Sequence, residues 1–374
     1  MRANRFDAET MLDGILQWVG EESPSYDRLA VERMLERVEA AFAGLPVRFE
    51  RIPGKDGFAD ILKVTFGDAT VPGILVLGHV DTVHPVGTVE NELPIRREGD
   101  RVFGPGILDM KSGLYLAVHA LREMLADGTA PTLPVTYLVI PDEEVGSPSS
   151  RTCIEEHARR HKYVLVPEPA REGKVVSGRH AFARYNVRVR GRPAHAGADN
   201  ARGASAINRM ASLILELESC SDVSRGLTYS AGIINGGTFV NVVPTQCDAQ
   251  VLCVAPDESA LTEIARRMTD LNGEENGVQV SVESGPVRPL FTPSTGGLAI
   301  FEKARELAED VGVHLEHGQF GGGSDGNFTG ALGVPTLDGL GPIGAGPHTH
   351  DEHILVSSLS SRCQIFAGLL QQLE

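Results

Sequence analysis

Leu133-Pro134-Val135-Thr136-Tyr137-Leu138-Val139-Ile140 runs directly into Pro141-Asp142-Glu143-Glu144-Val145-Gly146-Ser147. The first stretch is the clearest buried-strand signal in the chain: short, uncharged, and rich in β-branched and aromatic residues. The second sets adjacent carboxylates at its mouth. Isolated charges are expensive to desolvate, so two acids ending a core strand imply either a turn facing water or a site with a cation in it. In an open α/β sheet the carboxyl end of a strand is also where ligands bind.

The pattern recurs on both sides. Gly73-Ile74-Leu75-Val76-Leu77-Gly78 is another all-apolar run, and it leads straight into His79-Val80-Asp81-Thr82-Val83. Tyr163-Val164-Leu165-Val166 ends at Pro167-Glu168-Pro169. Apolar residues at helical spacing mark helices over 7–19, 26–42, 114–125, 298–311 and 355–373. Strand, acid and helix in repetition predict an α/β fold with a βα-type sheet.

The texture changes near Lys174. From His180 to Arg190, Ala181, Ala183, Tyr185, Val187 and Val189 alternate with Phe182, Arg184, Asn186, Arg188 and Arg190, the mark of a strand solvated on one face. A helix over 201–217, strands near 228–235 and 245–254, a helix over 258–271 and a strand over 278–283 complete the order β-α-β-β-α-β. That order predicts an inserted ferredoxin-like domain, a small sheet with helices on one face. The expected division is 1–177 for the first part of the main domain, 178–290 for the insertion and 291–374 for the second part.

At 374 residues and 40.0 kDa the chain has room for two domains. A formal net charge of -16 argues against a nucleic-acid-binding surface, which needs concentrated Lys and Arg. No apolar run reaches membrane-spanning length. The start, Met1 to Glu9, carries acids where a signal peptide needs its apolar stretch, so a cytoplasmic location is expected. The five cysteines are scattered and form no disulfide framework; Cys247 and Cys253 read as small core residues of one strand.

His79, Asp81, Asp109, Glu143, Glu144 and Glu168 end or follow short apolar runs, and His348 lies near the chain's end. Imidazoles mixed with carboxylates suit Zn2+ or Mn2+, whereas an oxygen-only set suits Mg2+ or Ca2+. Seven such residues exceed one tetrahedral site, so two metals sharing a carboxylate are the economical reading. Taken singly, each has a plain structural alternative: Asp109 caps the following helix, Glu143-Glu144 is a solvated turn, and Glu168 belongs to a rigid loop.

Together, Gly78-His79-Val80-Asp81-Thr82-Val83, Gly104-Pro105-Gly106 with Asp109-Met110-Lys111-Ser112-Gly113, Asp142-Glu143-Glu144-Val145-Gly146-Ser147, Glu168, and His348 with Glu352 resemble the co-catalytic zinc exopeptidases and deacylases. That family includes glutamate carboxypeptidase, succinyl-diaminopimelate desuccinylase, acetylornithine deacetylase, aminoacylase and tripeptidase. The likeness spans essentially the whole chain, and its pattern is nearest to glutamate carboxypeptidase.

The resemblance implies an α/β catalytic domain, a mixed sheet flanked by helices, with two Zn2+ per subunit, Mn2+ or Co2+ being alternatives, and an inserted lid that mediates homodimerisation. Carried over by motif, His79 and Glu168 would each bind one of two metals, Asp109 would bridge them, and Glu144 and His348 would complete the two shells. Asp81 would orient His79, and Glu143 would be the general base. A cis peptide is implied at Asp109-Met110. His195, in Gly191-Arg192-Pro193-Ala194-His195-Ala196-Gly197, would stabilise the oxyanion, often in the partner's site. Asn241-Val242-Val243-Pro244 matches a substrate-binding turn. The glycine run with Gly322 and Gly323 would take a substrate carboxylate. His350 and His353 stay outside this set.

One departure bears on the substrate. Many carboxypeptidase-type relatives carry Asp-x-Arg on the strand after the Asn-Pro turn, where this chain has Leu252-Cys253-Val254. Arg288 and Arg202 are candidate replacements for that arginine. The expected activity is metal-dependent hydrolysis of an amide bond in a short peptide or N-acyl amino acid, carboxypeptidase-like. A deacylase of the desuccinylase or acetylornithine type is the alternative within the enzyme class, and a catalytically silent metal-binding dimer is the alternative outside it. Neither nucleic acid nor membrane is an expected partner.

Overall fold

Strands Ile74–His79 and Val135–Ile140 are buried at every position. In the computed structural model, which describes residues 5–374, they form the middle of a six-stranded sheet. Residues 1–4, the start of the stretch read as lacking an export signal, lie outside the described residues. The sheet runs Val47–Ile52, Ile61–Phe66, Val135–Ile140, Ile74–His79, Tyr163–Leu165, Thr336–Leu337. The first two pairs in this order are antiparallel and the remaining three parallel, so the sheet is mixed.

Continuous apolar sequence is required because both faces are covered. Ile74, Val76, Val135, Tyr137 and Val139 pack with Met11, Ile15, Met34, Leu35, Leu121, Phe301 and Phe366 of the surrounding helices. Leu75, Leu77, Leu138 and Ile140 point the other way, onto Ile154, Ala158 and Phe328. A fully buried Leu, Ile or Val is worth about 1.5–3 kcal/mol, so a charge anywhere inside these two strands would be severely destabilising. The helices begin at side-chain caps: Asp7 accepts from Thr10 N ahead of Ala8–Val19, and Ser294 from Gly297 N ahead of Thr295–Asp310. The second cap starts that helix three residues earlier than its apolar spacing suggests.

The described chain divides into two compact units, one running to Gly178 and resuming at Phe291–Phe320 and Ser324–Glu374, the other made of Arg179–Leu290 with Gly321–Gly323. The second unit is a five-stranded antiparallel sheet in the order Thr228–Gly236, Gln246–Ala255, Ala181–Arg190, Val278–Arg288, Gly273–Glu275. Leaving out the short last strand, which periodicity does not reveal, this is the ferredoxin-like arrangement. Along Ala181–Arg190 the alternate residues from Ala181 to Val189 are buried, and Arg184, Asn186, Arg188 and Arg190 are exposed. Helices Ala206–Glu218 and Glu258–Asp270 cover the buried face through Met210, Leu213, Ile264 and Met268. Cys247 and Cys253 belong to this core.

Two details differ from expectation. The helix expected from residue 201 starts at Ala206, because Ser205 caps it and Asn200–Arg202 forms a separate 3-10 turn. Gly321–Gly323, left by sequence in the second part of the main domain, groups with the inserted unit. The buried Arg179 donates from Nη1 to Gly322 O at 3.1 Å and Gly323 O at 3.4 Å.

Candidate metal centre

Strand register sets the first ligand-type groups side by side. His79 lies opposite Ile140 in the parallel pair, so His79-Val80-Asp81 and Pro141-Asp142-Glu143-Glu144 leave the sheet together. Glu143–Val145 then closes a single 3-10 turn. Glu168 follows strand Tyr163–Leu165, and its carbonyl accepts from Gly341 N at 2.8 Å. A Cβ on Gly113 would lie 1.7 Å from Pro167 O, so only glycine lets helix Ser112–Ala126 begin against the Glu168 loop. Asp109 sits in the irregular turn Ile107–Lys111, and the Asp109-Met110 peptide is cis. His348 lies between strands Gly344–Ala345 and His353–Leu355 at φ 64°, an uncommon conformation without glycine.

These loops converge on Asp109. His79 Nε2 is 3.2 Å from Asp109 Oδ1, 3.6 Å from Glu168 Oε1 and 4.0 Å from Glu143 Oε2. His348 Nε2 is 3.3 Å from Asp109 Oδ2 and 3.0 Å from Glu144 Oε2. Asp109 therefore offers one oxygen to each imidazole, with Glu168 on the His79 side and Glu144 on the His348 side. One donor atom each from His79, Asp109 and Glu144 lie within 4.8 Å of one another.

The electrostatics follow from crowding acids out of water. Considering protein charges alone, burial and then the neighbouring Asp109 push the Glu144 and Glu168 carboxyls well above the ordinary range. Burial opposes ionisation of Asp109 too, but His348 and His79 hold its carboxyl well below that range. His348 is raised to about 11 by Asp109 and Glu144. The imidazolium protons thus act as the counter-charge for the acids. A divalent cation does the same task with a denser charge, and binding it releases those protons. Two imidazoles with carboxylates are the donor chemistry of zinc-type ions, so the residues fit a metal.

A second layer holds these groups. Asp81, fully buried, accepts Glu143 N on Oδ1 at 3.1 Å and Glu144 N on Oδ2 at 3.2 Å, and Ser25 Oγ donates to Oδ2 at 2.6 Å. His79 Nδ1 lies 3.0 Å from Asp81 O and 3.3 Å from Asp81 Oδ1. Held through Nδ1, the ring presents Nε2 to Asp109, and loss of the Nε2 proton would leave a lone pair there for a cation. Asp142 accepts from Ser149 N at 2.6 Å and from Ser150 Oγ, and burial raises its carboxyl to about 6. Lys111 is buried and donates to Glu21 O at 2.6 Å; desolvation lowers its ammonium to about 8 against the pull of Glu352, Glu21 and Glu22.

His195, Asn241, Gly322, Gly323 and Arg288 all belong to the inserted unit. His195 is exposed, and its Nδ1 accepts from Gly197 N at 3.2 Å and Ala198 N at 3.1 Å, which leaves the proton of the neutral ring on Nε2. Ala196 N donates to Asn241 O at 2.9 Å, so the His195 loop and the Asn241 turn are tied together. A Cβ on Gly323 would meet Arg288 Cδ at 2.7 Å, so the bare backbone there faces that arginine. Arg202 is exposed, with its carbonyl accepting from Arg192 Nε. Ser25, His84 and Arg179 carry no local signal that sequence reading could use; only their buried hydrogen bonds single them out.

The family model described as peptidase family M20/M25/M40 matches residues 75–372. Carboxypeptidase G2 of Pseudomonas sp. (strain RS-16) is 30% identical over 308 residues, covering 80% of this chain and 74% of its own length. Succinyl-diaminopimelate desuccinylase of Delftia acidovorans (strain DSM 14801 / SPH-1) is 26% identical over 325 residues, covering 81% and 82%. A solved dinuclear metal-binding peptidase of the M20 family from Bacillus subtilis shares the fold, with a TM-score of 0.69 at 17% identity and 98% of both chains covered. The matched span takes in every loop that converges on Asp109, and the chain belongs to the M20/M25/M40 peptidases, metallo-hydrolases of amide bonds in peptides or acyl amino acids.

Proposed function

We propose that the cluster holds two divalent cations, Zn2+ in the first instance and Mn2+ or Co2+ as substitutes. His79 and Glu168 would serve one, His348 and Glu144 the other, and Asp109 both. The observation that carries this reading is the division of Asp109, one carboxylate oxygen toward each imidazole–carboxylate pair. Bound there, the cations would supply Lewis-acid activation of a water and of the scissile carbonyl.

The chain's own residues do the rest. Glu143 accepts the proton of the attacking water and returns it to the leaving nitrogen, alternating its protonation state. Its carboxylate is buried beside His79 Nε2, and its backbone is anchored on Asp81, so it needs no reorganisation to act. Asp81 keeps His79 in the tautomer that leaves Nε2 unprotonated. His195 donates a hydrogen bond from its Nε2–H to the developing oxyanion. Asn241 orients the substrate, and Gly322, Gly323 and Arg288 receive its carboxylate.

The substrate class is a short peptide or N-acyl amino acid cleaved in carboxypeptidase fashion, a reading supported by the 30% identity to carboxypeptidase G2. Deacylation of the desuccinylase type is the second reading, favoured by Leu252-Cys253-Val254 where the carboxylate-binding arginine is expected. A homodimer through the inserted unit is part of the proposal: edge strand Thr228–Gly236 leaves Ile233 and Ile234 50% and 52% exposed, and Leu215 on helix Ala206–Glu218 is 72% exposed. Five free cysteines suit a reducing cytoplasm; no helix among the described residues is long and apolar enough to cross a membrane.

The test is elemental analysis of the purified protein followed by a panel of N-acyl amino acids and dipeptides, each with and without chelator. Two equivalents of metal and chelator-sensitive release of a C-terminal amino acid are expected. A metal-free protein with full activity, or no hydrolysis across the panel, overturns the reading.

A further inference from the structure

Glu352 is 1% exposed and His84 6% exposed, and neither is among the proposed ligands. Yet the Glu352 carboxylate receives four donors. Oε1 accepts Leu108 N at 2.8 Å and Asp109 N at 3.0 Å. Oε2 accepts Gly106 N at 3.1 Å and lies 2.9 Å from His84 Nε2. Glu352 also binds this turn through its main chain, its carbonyl accepting from Gly104 N at 3.3 Å. The segment gripped in this way is irregular: Gly106 is left-handed at φ 67°, and Asp109 has non-helical dihedrals of -113° and 96°.

The gripping residue stands four positions after His348. A single loop therefore carries one imidazole of the cluster and fixes the backbone that aims the acid 3.3 Å from that imidazole. Two oxygens taking three backbone N–H groups set both the position and the rotation of the 106–109 turn. His84 fills the remaining place on Oε2 and prevents the carboxylate from rotating away.

We propose that Glu352 and His84 form a positioning clamp that sets the direction of the Asp109 carboxylate relative to His348, and so the affinity of the cluster for its metals. The inference rests on the metal reading above. Neither residue is a ligand or a proton carrier. Glu352→Gln keeps the shape but replaces one acceptor oxygen by an amide N–H, so at least one of the gripped N–H groups meets a donor. His84→Ala removes only the fourth contact, and His84→Gln restores an N–H near the Nε2 position.

The experiment is zinc uptake by the metal-stripped protein in competition with a chromophoric chelator, with circular-dichroism melting of the same metal-stripped samples. Disturbing groups that orient metal ligands costs about 10–100-fold in affinity, and Glu352→Gln is expected in that range while still melting cooperatively. His84→Ala should weaken binding in the same direction and His84→Gln should restore it. If Glu352→Gln fails to fold, the His84 pair decides. Wild-type protein that takes up two zinc ions while folded Glu352→Gln, or His84→Ala, takes them up with unchanged affinity overturns the clamp alone. Wild-type protein that takes up none overturns the metal reading and the clamp with it.

Discussion

Replacing Asp81 by Asn tests how tightly the active groups are held. Asp81 receives donors on both oxygens: Glu143 N and the His79 ring on Oδ1, Glu144 N and Ser25 Oγ on Oδ2. An asparagine has one acceptor oxygen. With that oxygen at the Oδ1 place, the amide N–H confronts Glu144 N; with it at the Oδ2 place, the amide N–H confronts Glu143 N. Ser25 can rotate to accept, and His79 Nδ1 keeps Asp81 O at 3.0 Å, so the unavoidable loss is one backbone N–H. A buried N–H left unpaired costs about 1–3 kcal/mol. The turn can relieve that cost only by moving Glu143 or Glu144, and supporting groups of this kind typically govern about 10–100-fold in activity or metal affinity. The expected result for Asp81→Asn is a kcat lower by about that factor, equivalent to about 1.4–2.7 kcal/mol, on a folded protein of reduced thermal stability. The assay is steady-state hydrolysis of the best substrate from the panel, with metal content measured on the same sample. Wild-type kcat together with wild-type metal content would refute the argument that Asp81 holds this turn.

Other outcomes follow from the same geometry. His195→Ala should lower kcat by about 100-fold or more, the usual cost of an oxyanion donor, while metal content stays at the wild-type value; parallel metal loss would make His195 a ligand or a structural residue. His157, on helix Arg151–Ala158, is lowered from the ordinary 6.5 to about 4, first by burial and then by Lys63. Its neutral form is favoured in the folded state and its unfolded form binds a proton sooner, so stability present above about pH 6.5 is lost as pH falls toward about 4. Urea melts across that window should show a shallower decline for His157→Gln than for the wild type, and identical slopes would remove His157 from the account.

What sequence makes legible is local, and what it hides is contact over distance. Alternation along 181–190 reads directly because a strand with one solvated face must repeat every second residue. The apolar runs ending in His79 and in Pro141 to Ser147 read directly because a strand covered on both faces has no room for polar side chains, so the first charged residue marks its mouth. Glu352 is different. Its spacing from His348 is visible, but its purpose depends on N–H groups 243 to 246 residues away, and no periodicity encodes that. Arg179 is the largest fully buried side chain, and an arginine at the end of a strand gives no warning that it will hold Gly322 and Gly323. The short strands Arg96–Glu98, Arg101–Phe103 and His353–Leu355 escape too, since three residues are too few for a period, and the pairing of His353–Leu355 with Arg101–Phe103 joins distant parts of the chain.

The central claim is that Glu144 belongs to the metal cluster while its neighbour Glu143 moves the proton. The most direct measurement is Glu143→Gln, with metal content and hydrolysis determined on one preparation. Unchanged metal content is expected, with kcat lower by about 100–10,000-fold, the range of general acid–base catalysis. Hydrolysis at the wild-type rate, or loss of metal in step with activity, would contradict the claim.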